Sequence, residues 1–322
     1  MVNWTIADIP AQHDRSAVVT GTGGLGYETA LALTRAGGAV ILAGRNPAKG
    51  AEAIRRIQAE APSGQIRFER LDLASLSSVA DFAGRLRERQ ARLDLLVNNA
   101  GVMRPSQRLQ TEDGLELQFG TNHLGHFALT GELMPLLLKG DAARVVTVSS
   151  IAARIGAIDF DDLNARRHYR PMPAYAQSKL ACLMFALELQ RRSLAFDWGV
   201  TSIAAHPGLA RTDLIRNAPG PQGLIGPLRR LFRTLFQPAA QGALPTLFAA
   251  TSPEAQGGGY YGPDRMSEAR GHPAPSRIPQ QALDEEAAAR LWQISEDFAG
   301  RPFARIPCAK PALYRVGSPQ RA

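Results

Sequence analysis

A tyrosine and a lysine, Tyr175 and Lys179, lie four residues apart in the stretch PAYAQSKLA (residues 173–181). Positions i and i+4 share one face of a helix, so the phenol and the ammonium would lie side by side. At about 4 to 5 Å and an effective dielectric near 20, an ammonium stabilises a phenolate by roughly 3 to 4 kcal/mol. Such a pair can exchange a proton with an oxygen whose charge changes during hydride transfer. The same spacing also occurs on ordinary amphipathic helices, so the pair alone does not decide between chemistry and a solvent-facing helix.

The elements that must position this pair follow an alternating pattern of short apolar runs and helical periodicity. This pattern predicts an α/β fold with a Rossmann-type doubly wound parallel sheet. Ligands of such sheets bind at the carboxyl ends of the strands, and the glycine-rich and polar segments of this chain lie at those ends. The predicted strands cover 17–21, 39–44, 65–73, 93–101, 144–150 and 199–208, and a long helix is predicted over 114–139.

The segment TGTGGLG (residues 20–26) follows the first strand, and the next helix is predicted to open near Tyr27. Glycines let the backbone turn tightly and approach a pyrophosphate, which the amino end of a helix attracts. The spacing fits both GxGxxG and GxxGxG, so the sequence leaves open which glycines contact the phosphates. The predicted dinucleotide-binding residues of this turn are Gly21, Gly23, Gly24, Leu25 and Gly26.

The end of the second strand, LAGRNP (residues 42–47), contains no carboxylate and contains Arg45. Sites for NAD place a carboxylate here to bind the ribose 2′-hydroxyl, whereas a guanidinium pairs with the 2′-phosphate of NADP. The sequence therefore favours NADP over NAD. The alternative is that Arg45 belongs to a solvent-facing loop.

Together these segments resemble the short-chain dehydrogenase/reductase family over about residues 14–262. The opening WTIADIP and the segment IDFDDLNARRHYRPMPAY further resemble its retinol-dehydrogenase-like and protochlorophyllide-reductase-like branch. The family motifs are TG…GLG, LDL at 71–73, NNAG at 98–101, TNHLGHF around Asn122, VSS at 148–150, YAQSK at 175–179 and HPGLART at 206–212.

The resemblance implies an oxidoreductase that moves hydride between a nicotinamide and a carbonyl or alcohol carbon. It assigns the catalytic roles to Asn122, Ser150, Tyr175 and Lys179. Ser150 would bind the substrate oxygen, Asn122 would hold a water relay reaching Lys179, and Lys179 would also bind the nicotinamide ribose. Tyr175 would act as the acid, and Ser149 would be a structural neighbour. The cofactor contacts that it implies are Asp72 and Leu73 at the adenine, Asn98, Ala100 and Gly101 near the adenine ribose, Tyr175 and Lys179 themselves, and Pro207, Gly208 and Thr212 at the nicotinamide.

The sequence departs from the family pattern at two places. The glycine turn is one residue shorter than the usual TGxxxGxG, so its path round the phosphates must differ. The insertion at 155–172 lengthens the distance between the serine and the tyrosine and is predicted to line the substrate entrance. Apolar residues in the insertion and in a predicted lid at about 209–240 indicate an apolar substrate, such as a long-chain or isoprenoid aldehyde, a ketone or a steroid.

We expect one catalytic domain over 14–262, an N-terminal arm at 1–13 and a C-terminal extension at 263–322. With 45% hydrophobic and 20% charged residues, the composition is that of a globular protein. No apolar run of eighteen residues occurs and the first residues lack the order of a signal peptide, so we expect a cytoplasmic protein. Two cysteines, Cys182 and Cys308, are too few for a disulfide framework or a zinc cage.

The net charge of +8 comes mostly from dispersed arginines, which disfavours a nucleic-acid partner. The segment GLIGPLRRLFRTLFQ (223–237) is amphipathic, and a surface helix, a lid and a peripheral membrane contact all remain open for it. A homo-oligomer also remains open.

Two further patterns could suggest metal binding. His123 and His126 are three residues apart, but no carboxylate partner is evident, so no metal is predicted. DFDD at 159–162 lacks the glycine and terminal glutamate of a calcium loop and is interpreted as an acidic turn.

The alternative function is a catalytically idle NADP-binding sensor or scaffold. An intact set of catalytic residues argues against it, since a sensor needs no proton donor.

Overall fold

The computed structural model describes residues 3–210, 236–300 and 302–303, which form one sheet covered by helices on both faces. Within these ranges the sheet has eight strands in the order β3-β2-β1-β4-β5-β6-β7-β8. Neighbouring strands are parallel except for the antiparallel pair β7 and β8. The strands are β1 (Ser16–Thr20), β2 (Ala39–Gly44), β3 (Ile66–Arg70), β4 (Leu95–Asn98), β5 (Arg144–Val148), β6 (Thr201–Ala205), β7 (Tyr260–Arg265) and β8 (Arg270–Pro275).

Helices connect the parallel strands, as the crossover geometry requires. None of the described helices combines the length and the hydropathy needed to cross a lipid bilayer. The helices are α1 (Gly24–Arg35), α2 (Pro47–Glu60), α3 (Leu76–Arg89), α4 (Gly125–Leu137), α5 (Pro171–Ala195), α6 (Ala239–Thr251) and α7 (Glu285–Ala299), with short helical turns at Ile6–Asp8, Phe119–Leu124, Ile151–Ile155 and Gln280–Ala282.

The central strands are buried on both faces because successive side chains point to opposite sides of the sheet. In β1, Val18 packs into one core cluster with residues of α3 and α4, and Ala17 and Val19 pack into another with residues of α1 and α6. The prediction of a Rossmann-type doubly wound sheet is confirmed. The predicted third to sixth strands are too long, because the chain leaves the sheet at its carboxyl edge after Arg70, Asn98, Val148 and Ala205.

The predicted division at residue 262 is wrong, because it cuts through β7. β8 adds an antiparallel strand to the sheet, and α7 buries Trp292 against Phe127 and Phe185 with ring centroids 5.0 and 5.7 Å apart. Residues 263–300 therefore belong to the catalytic domain.

The predicted N-terminal arm also packs on the domain. The Trp4 ring meets Phe248 of α6 edge-on at 5.5 Å, and the Trp4 carbonyl accepts a hydrogen bond from His272 Nδ1 of β8 at 3.1 Å. Most of the predicted lid, residues 211–235, lies outside the described residues, as do Thr212 and Cys308.

Candidate active site

The turn after β1 brings two glycines into contact. Gly21 has a left-handed backbone with φ of 97°, and a β-carbon added to Gly26 would lie 2.1 Å from the Gly21 carbonyl oxygen. No side chain fits this approach, so the turn requires glycine at position 26. α1 begins at Gly24 with Gly23 as its N-cap residue. The predicted helix start near Tyr27 is therefore too late.

The amino end of α1 fits the pyrophosphate of a dinucleotide. The first N–H groups of a helix lack acceptors within the helix and bind anions. In α1 these groups belong to Gly24 and Leu25, whereas Gly26 N–H donates to the Gly23 carbonyl at 3.2 Å. The Leu25 side chain packs against the core, where its Cδ2 would lie 3.1 Å from a β-carbon on Gly242. The short turn and its available N–H groups thus suit the predicted cofactor.

Asn99 closes the other side of this turn, a role that the sequence analysis missed. Its amide nitrogen donates to the Thr20 carbonyl at 2.7 Å and would lie 2.7 Å from a β-carbon on Gly26. The predicted Asn98 instead donates to Thr130 Oγ1 at 3.0 Å inside the protein. Only the Asn98 backbone is left for a cofactor contact. The alternation of side chains along a strand could have distinguished the two asparagines, because neighbours face opposite ways.

Arg45 follows the last residue of β2 and is exposed. Within the described part of the chain it makes no ion pair. A β-carbon on the preceding Gly44 would lie 2.8 Å from Thr22 Cγ2, so the end of β2 touches the glycine turn. The backbone that carries Arg45 therefore lies beside the predicted phosphate site, and no carboxylate of the described residues pairs with the guanidinium.

The predicted adenine contacts are divided between loop and core. The Asp72 carboxylate accepts the Ala74 N–H at 3.0 Å and so shapes the loop after β3. The Leu73 side chain is 7% exposed and packs into the core. Only the backbone of Leu73 remains for an adenine contact.

Thr20, at the end of β1, is a hydrogen-bonding hub that the sequence analysis also missed. Its hydroxyl oxygen accepts the N–H groups of Asn99 and Ala100, each at 2.9 Å, and lies 2.9 Å from His126 Nε2. His126 Nδ1 lies 2.9 Å from the Asn122 carbonyl, which only accepts, so Nδ1 carries the ring proton. Thr20 therefore donates its own hydrogen to Nε2, which is closer than the other acceptor, the Val97 carbonyl at 3.3 Å. Burial lowers the pKa of His126 to about 4, which keeps this ring neutral.

Asn122 lies in the π-helical stretch Phe119–Leu124, which runs directly into α4. Such stretches often mark functional sites. The Asn122 amide donates to the Val102 carbonyl at 3.0 Å and to Ser178 Oγ at 2.9 Å, and its Oδ1 accepts the Val102 N–H at 2.7 Å. Its backbone carbonyl is used by His126 Nδ1 and by Cys182 Sγ, at 2.9 and 3.1 Å. One lone pair of Oδ1 thus remains for the predicted water relay.

Gly101 separates Asn122 from Lys179. A β-carbon at this position would lie 3.0 Å from Asn122 Oδ1 and 3.7 Å from Lys179 Nζ. Both polar groups therefore border the same small space. A side chain at residue 101 would fill it.

The two serines after β5 have different surroundings. Ser149 is 2% exposed, and its hydroxyl donates to the Lys179 carbonyl at 2.7 Å. Ser150 caps the short helix Ile151–Ile155, and its hydroxyl oxygen accepts the Ala152 N–H at 3.2 Å. The hydroxyl hydrogen of Ser150 remains available for a substrate oxygen, whereas Ser149 fastens α5 to the sheet.

Tyr175 and Lys179 lie one helical turn apart on α5 and are 6% and 4% exposed. Lys179 Nζ donates to the carbonyl of Val148, the last residue of β5, at 2.9 Å. This bond holds the ammonium at Val148, which precedes Ser150 by two residues in the sequence. An ammonium has three hydrogens, so two remain for other acceptors. Lys179 and Ser150 therefore lie together at the carboxyl end of β5, and Tyr175 packs in one cluster with Ala152 of the loop that follows.

The insertion at 155–172 packs against the loop after β4. Tyr169 Oη donates to the Pro105 carbonyl at 2.9 Å, and Arg108 Nε donates to the Asn164 carbonyl at 2.8 Å. The apolar side chains that pack beside Tyr175 at this junction are Met103, Ala152, Met172 and Ala176.

The segment after β6, Pro207 and Gly208, borders the side of the candidate site opposite the insertion. Gly208 has φ of 61°, and a β-carbon there would lie 2.4 Å from the Ala269 carbonyl oxygen. The Pro207 carbonyl accepts a hydrogen bond from Gln237 Nε2 at 2.7 Å. Pro207 and Gly208 are thus fixed from two sides.

The histidines and the acidic turn both have structural partners. His123 Nε2 lies 2.9 Å from Ser295 Oγ. The partner of His126 Nε2 is a different one, the Thr20 hydroxyl. Burial, and then the proximity of His126, lower the pKa of His123 to about 3. In the acidic turn, Asp159 Oδ1 accepts the N–H groups of residues 161 and 162 at 3.1 Å each.

Comparison with known proteins gives a consistent result. The family model described as short chain dehydrogenase matches residues 15–222. Human retinol dehydrogenase 13 is 42% identical over 295 residues, which cover 89% of this chain and 85% of that protein. Mouse polyprenol dehydrogenase is 43% identical over 291 residues, covering 88% of this chain and 83% of that protein.

Solved structures agree with the fold. A protein from Mycobacterium paratuberculosis superimposes with a TM-score of 0.78 at 39% identity, covering 94% of this chain and 99% of that chain. A short chain dehydrogenase from Shigella flexneri, solved in complex with NADP, has a TM-score of 0.60 at 25% identity and covers 79% of this chain and 98% of its own.

Proposed function

Because the chain belongs to the short-chain dehydrogenase family, we propose that it transfers hydride between NADPH and the carbonyl or alcohol carbon of an apolar, isoprenoid-like substrate. Family membership makes it an oxidoreductase that acts on alcohol or carbonyl groups. The observation that carries the proposal is the buried Tyr175 and Lys179 pair on α5, with the Lys179 ammonium bound to the end of β5 beside Ser150.

The proposed reaction gives each of the four residues a defined role. When bound, the nicotinamide supplies or accepts the hydride. The Ser150 hydroxyl donates a hydrogen bond to the substrate oxygen, and Tyr175 passes its phenolic proton to that oxygen. The Lys179 ammonium stabilises the phenolate that remains and uses its free hydrogens to bind the cofactor ribose. Asn122 keeps the surrounding backbone in place through its bonds to Val102.

The preference for NADPH is supported by Arg45. Its guanidinium is exposed, lacks an ion-pair partner among the described residues and follows Gly44, which touches the glycine turn. A guanidinium binds a phosphate through hydrogen bonds between two opposite charges, whereas the 2′-hydroxyl of NADH is neutral. The NADP complex of the Shigella flexneri relative agrees with this preference.

The substrate class is supported by two independent observations. Met103 and Met172 pack beside Tyr175, and Ile155 at the edge of the insertion is 73% exposed. Retinol and polyprenol, named in the two relatives, are both isoprenoid alcohols. We therefore propose an apolar primary alcohol or its aldehyde, of retinoid or polyprenol type, as the substrate.

The first test is a fluorescence titration with NADPH and, separately, with NADH. The wild type is expected to bind NADPH more tightly, and Arg45→Ala is expected to weaken NADPH binding by about tenfold while leaving NADH binding unchanged. Arg55→Ala is the matched control, since Arg55 is exposed on α2 and pairs with Glu52. Equal losses for both cofactors, or an equal loss in the control, would contradict the assignment of Arg45.

The second test is turnover of a carbonyl panel with NADPH: all-trans-retinal, a polyprenal, a steroid ketone and a short hydrophilic aldehyde. Reduction of the isoprenoid aldehydes above the hydrophilic aldehyde is expected. A protein that binds NADPH and reduces none of the four would favour the sensor or scaffold alternative.

A further inference from the structure

The turn between β7 and β8 has an unusual backbone. Three successive residues that are not glycine, Met266, Ser267 and Glu268, have φ of 52°, 54° and 67°. Side chains disfavour this left-handed region by about 1 to 2 kcal/mol per residue, so such a run persists only where other contacts hold it. Met266 is 54% exposed, whereas the Glu268 side chain is 21% exposed and turned towards the domain. The contacts of Glu268 are therefore among those that hold the turn, together with the Ala269 carbonyl, which accepts the Leu209 N–H at 2.7 Å.

The Glu268 carboxylate joins two loops of the active site. Its Oε2 lies 2.9 Å from His206 Nε2 and 2.5 Å from Arg154 Nη2, and its Oε1 accepts the Arg277 N–H at 3.3 Å. Burial would raise the pKa of Glu268, but hydrogen bonds from His206, Arg277 and Ser276 outweigh it and lower the pKa to about 2. The group is therefore ionised at neutral pH.

His206 connects Glu268 to the turn at Pro207 and Gly208. Its ring is 0% exposed, and Nδ1 accepts the Gly208 N–H at 3.2 Å. Nδ1 is therefore the unprotonated nitrogen, and Nε2–H donates to Glu268. A β-carbon on Gly262 would lie 2.0 Å from His206 Nε2, so β7 is built to leave room for this ring. Ser276 Oγ lies 3.0 Å from the same nitrogen, so removal of Glu268 would leave the buried N–H with a neutral neighbour in place of its charged acceptor.

Arg154 connects Glu268 to the loop after β5, which carries Ser150. It belongs to the short helix Ile151–Ile155, which Ser150 caps, and its Nη1 also lies 3.4 Å from the Ser267 carbonyl. A second link runs through Tyr260, whose hydroxyl donates to the Ser150 carbonyl at 3.3 Å and whose ring centroid lies 5.1 Å from that of His206. The loops after β5 and β6 are thus both fastened to the turn between β7 and β8.

We propose that Glu268 is a positioning residue of the active site, which holds the Ser150 loop and the His206–Gly208 segment in one fixed relation through Arg154 and His206. The inference rests on the proposed hydride transfer, because the two loops carry the group that binds the substrate oxygen and the segment expected to flank the nicotinamide. The role proposed for Glu268 needs no contact with substrate or cofactor. Glu268 acts by orienting two residues. One is the neutral His206, which directly precedes Pro207, and the other is Arg154, which lies a few residues after Ser150.

The test compares three variants in the full chain: Glu268→Ala, Glu268→Gln and the control Glu254→Gln, a substitution at an exposed glutamate of the loop after α6. The amide oxygen introduced by Glu268→Gln can still accept the His206 N–H but carries no charge for Arg154. Misplacement of reacting groups by about 1 Å costs up to about 100-fold in rate. We expect kcat with NADPH and an aldehyde to fall by about tenfold for Glu268→Gln and by about 100-fold for Glu268→Ala, with the KM of the aldehyde changed less than about threefold. The control is expected to keep the wild-type kcat.

A double-mutant cycle and a physical readout separate positioning from general stability. Arg154→Gln should add little to Glu268→Gln in kcat, because both remove one interaction. Hydrogen exchange at residues 206–209 and 150–155 should accelerate in the Glu268 variants, and thermal unfolding midpoints identify any variant that does not fold. If Glu268→Ala does not fold, Glu268→Gln decides. Folded Glu268 variants with wild-type kcat would overturn the proposal, and so would a lower unfolding midpoint at unchanged kcat.

The same experiment distinguishes a failure of the proposed function. A wild type that binds NADPH but reduces no aldehyde would contradict hydride transfer and the positioning role together. A wild type that is active, with equally active Glu268 variants, would contradict the positioning role alone.

Discussion

The Thr20 hydroxyl donates a hydrogen bond to His126 Nε2 at 2.9 Å and so joins the end of β1 to the helix that carries Asn122. Thr20→Val keeps the side-chain volume but leaves the N–H groups of Asn99 and Ala100 and the ring nitrogen of His126 without this partner. Buried polar groups left unpaired cost about 1 to 3 kcal/mol each. We expect the free energy of unfolding in urea to fall by roughly 2 to 5 kcal/mol.

Thr20→Ser is the matched control for this prediction. It restores the hydroxyl without the methyl group, so most of the lost stability should return. Equal stability of the valine and serine variants would show that the hydrogen bonds at this position contribute little.

Tyr175→Phe tests the proton donor. The variant retains the packing of the ring against Met103 and Met172 but has no exchangeable proton. Loss of a general acid lowers turnover by about 10²- to 10⁴-fold. We expect kcat to fall by that factor while the dissociation constant of NADPH, measured by fluorescence, stays within a few fold. Tyr261→Phe, in β7, is the control, because the Tyr261 hydroxyl accepts a hydrogen bond from the Gln256 backbone. Unchanged turnover of Tyr175→Phe would exclude the assigned role.

Gly26→Ala tests the glycine turn. The new methyl group would stand 2.1 Å from the Gly21 carbonyl, a backbone atom, so the turn has to open. We expect NADPH binding to weaken by at least about tenfold. Gly84→Ala in α3 is the control, because a β-carbon there meets nothing within 4 Å. Alanine in a helix is also more stable than glycine by about 0.5 to 1 kcal/mol. Intact NADPH binding in Gly26→Ala would mean that the dinucleotide does not depend on this turn.

Buried histidines predict a loss of stability in mild acid. Burial lowers the pKa of His123 to about 3 and that of His126 to about 4, from an ordinary value of 6.5. Burial also lowers the pKa of His206, although Glu268 opposes this shift. Below about pH 6.5 the unfolded chain binds protons that the folded chain does not, so the free energy of unfolding decreases as the pH falls.

We expect the urea midpoint to fall steadily between about pH 6.5 and pH 5, above the range in which most carboxylates titrate. His123→Gln should make this dependence shallower, and His168→Gln, at an exposed position of the insertion, should leave it unchanged. A flat profile in the wild type over this range would contradict the neutral state assigned to the buried rings.

The sheet and the main site were predictable because their patterns are local. The second strand was predicted at 39–44, its observed bounds, since its apolar run is flanked by glycines that end it. Helical spacing puts Tyr175 and Lys179 on one face, and the family motifs around them, rather than the spacing alone, predicted their role. The carboxyl ends of the parallel strands predicted where the glycine turn lies, directly after β1.

Other features depend on contacts between residues far apart in the sequence. The partner of Asn99 is Thr20, 79 residues away, and Glu268 lies 62 residues from His206. The boundary at 262 was misplaced because β8 is antiparallel and its strand contains Pro273 and Pro275, which disfavour a strand in sequence-based reasoning. The π-helical stretch at Asn122 likewise has no local sequence pattern that separates it from an ordinary helix.

The helix α5 divides the protein into parts that tolerate change differently. It is buried continuously from Ala174 to Leu189, so its side chains have no free volume into which a variant could expand. The insertion that borders Tyr175 has solvent on one side. A directed-evolution library for new substrates should therefore randomise positions such as Met103, Ile155 and Met172 and leave α5 unchanged from Ala174 onwards, because selectivity can then be altered without moving the atoms that transfer the proton.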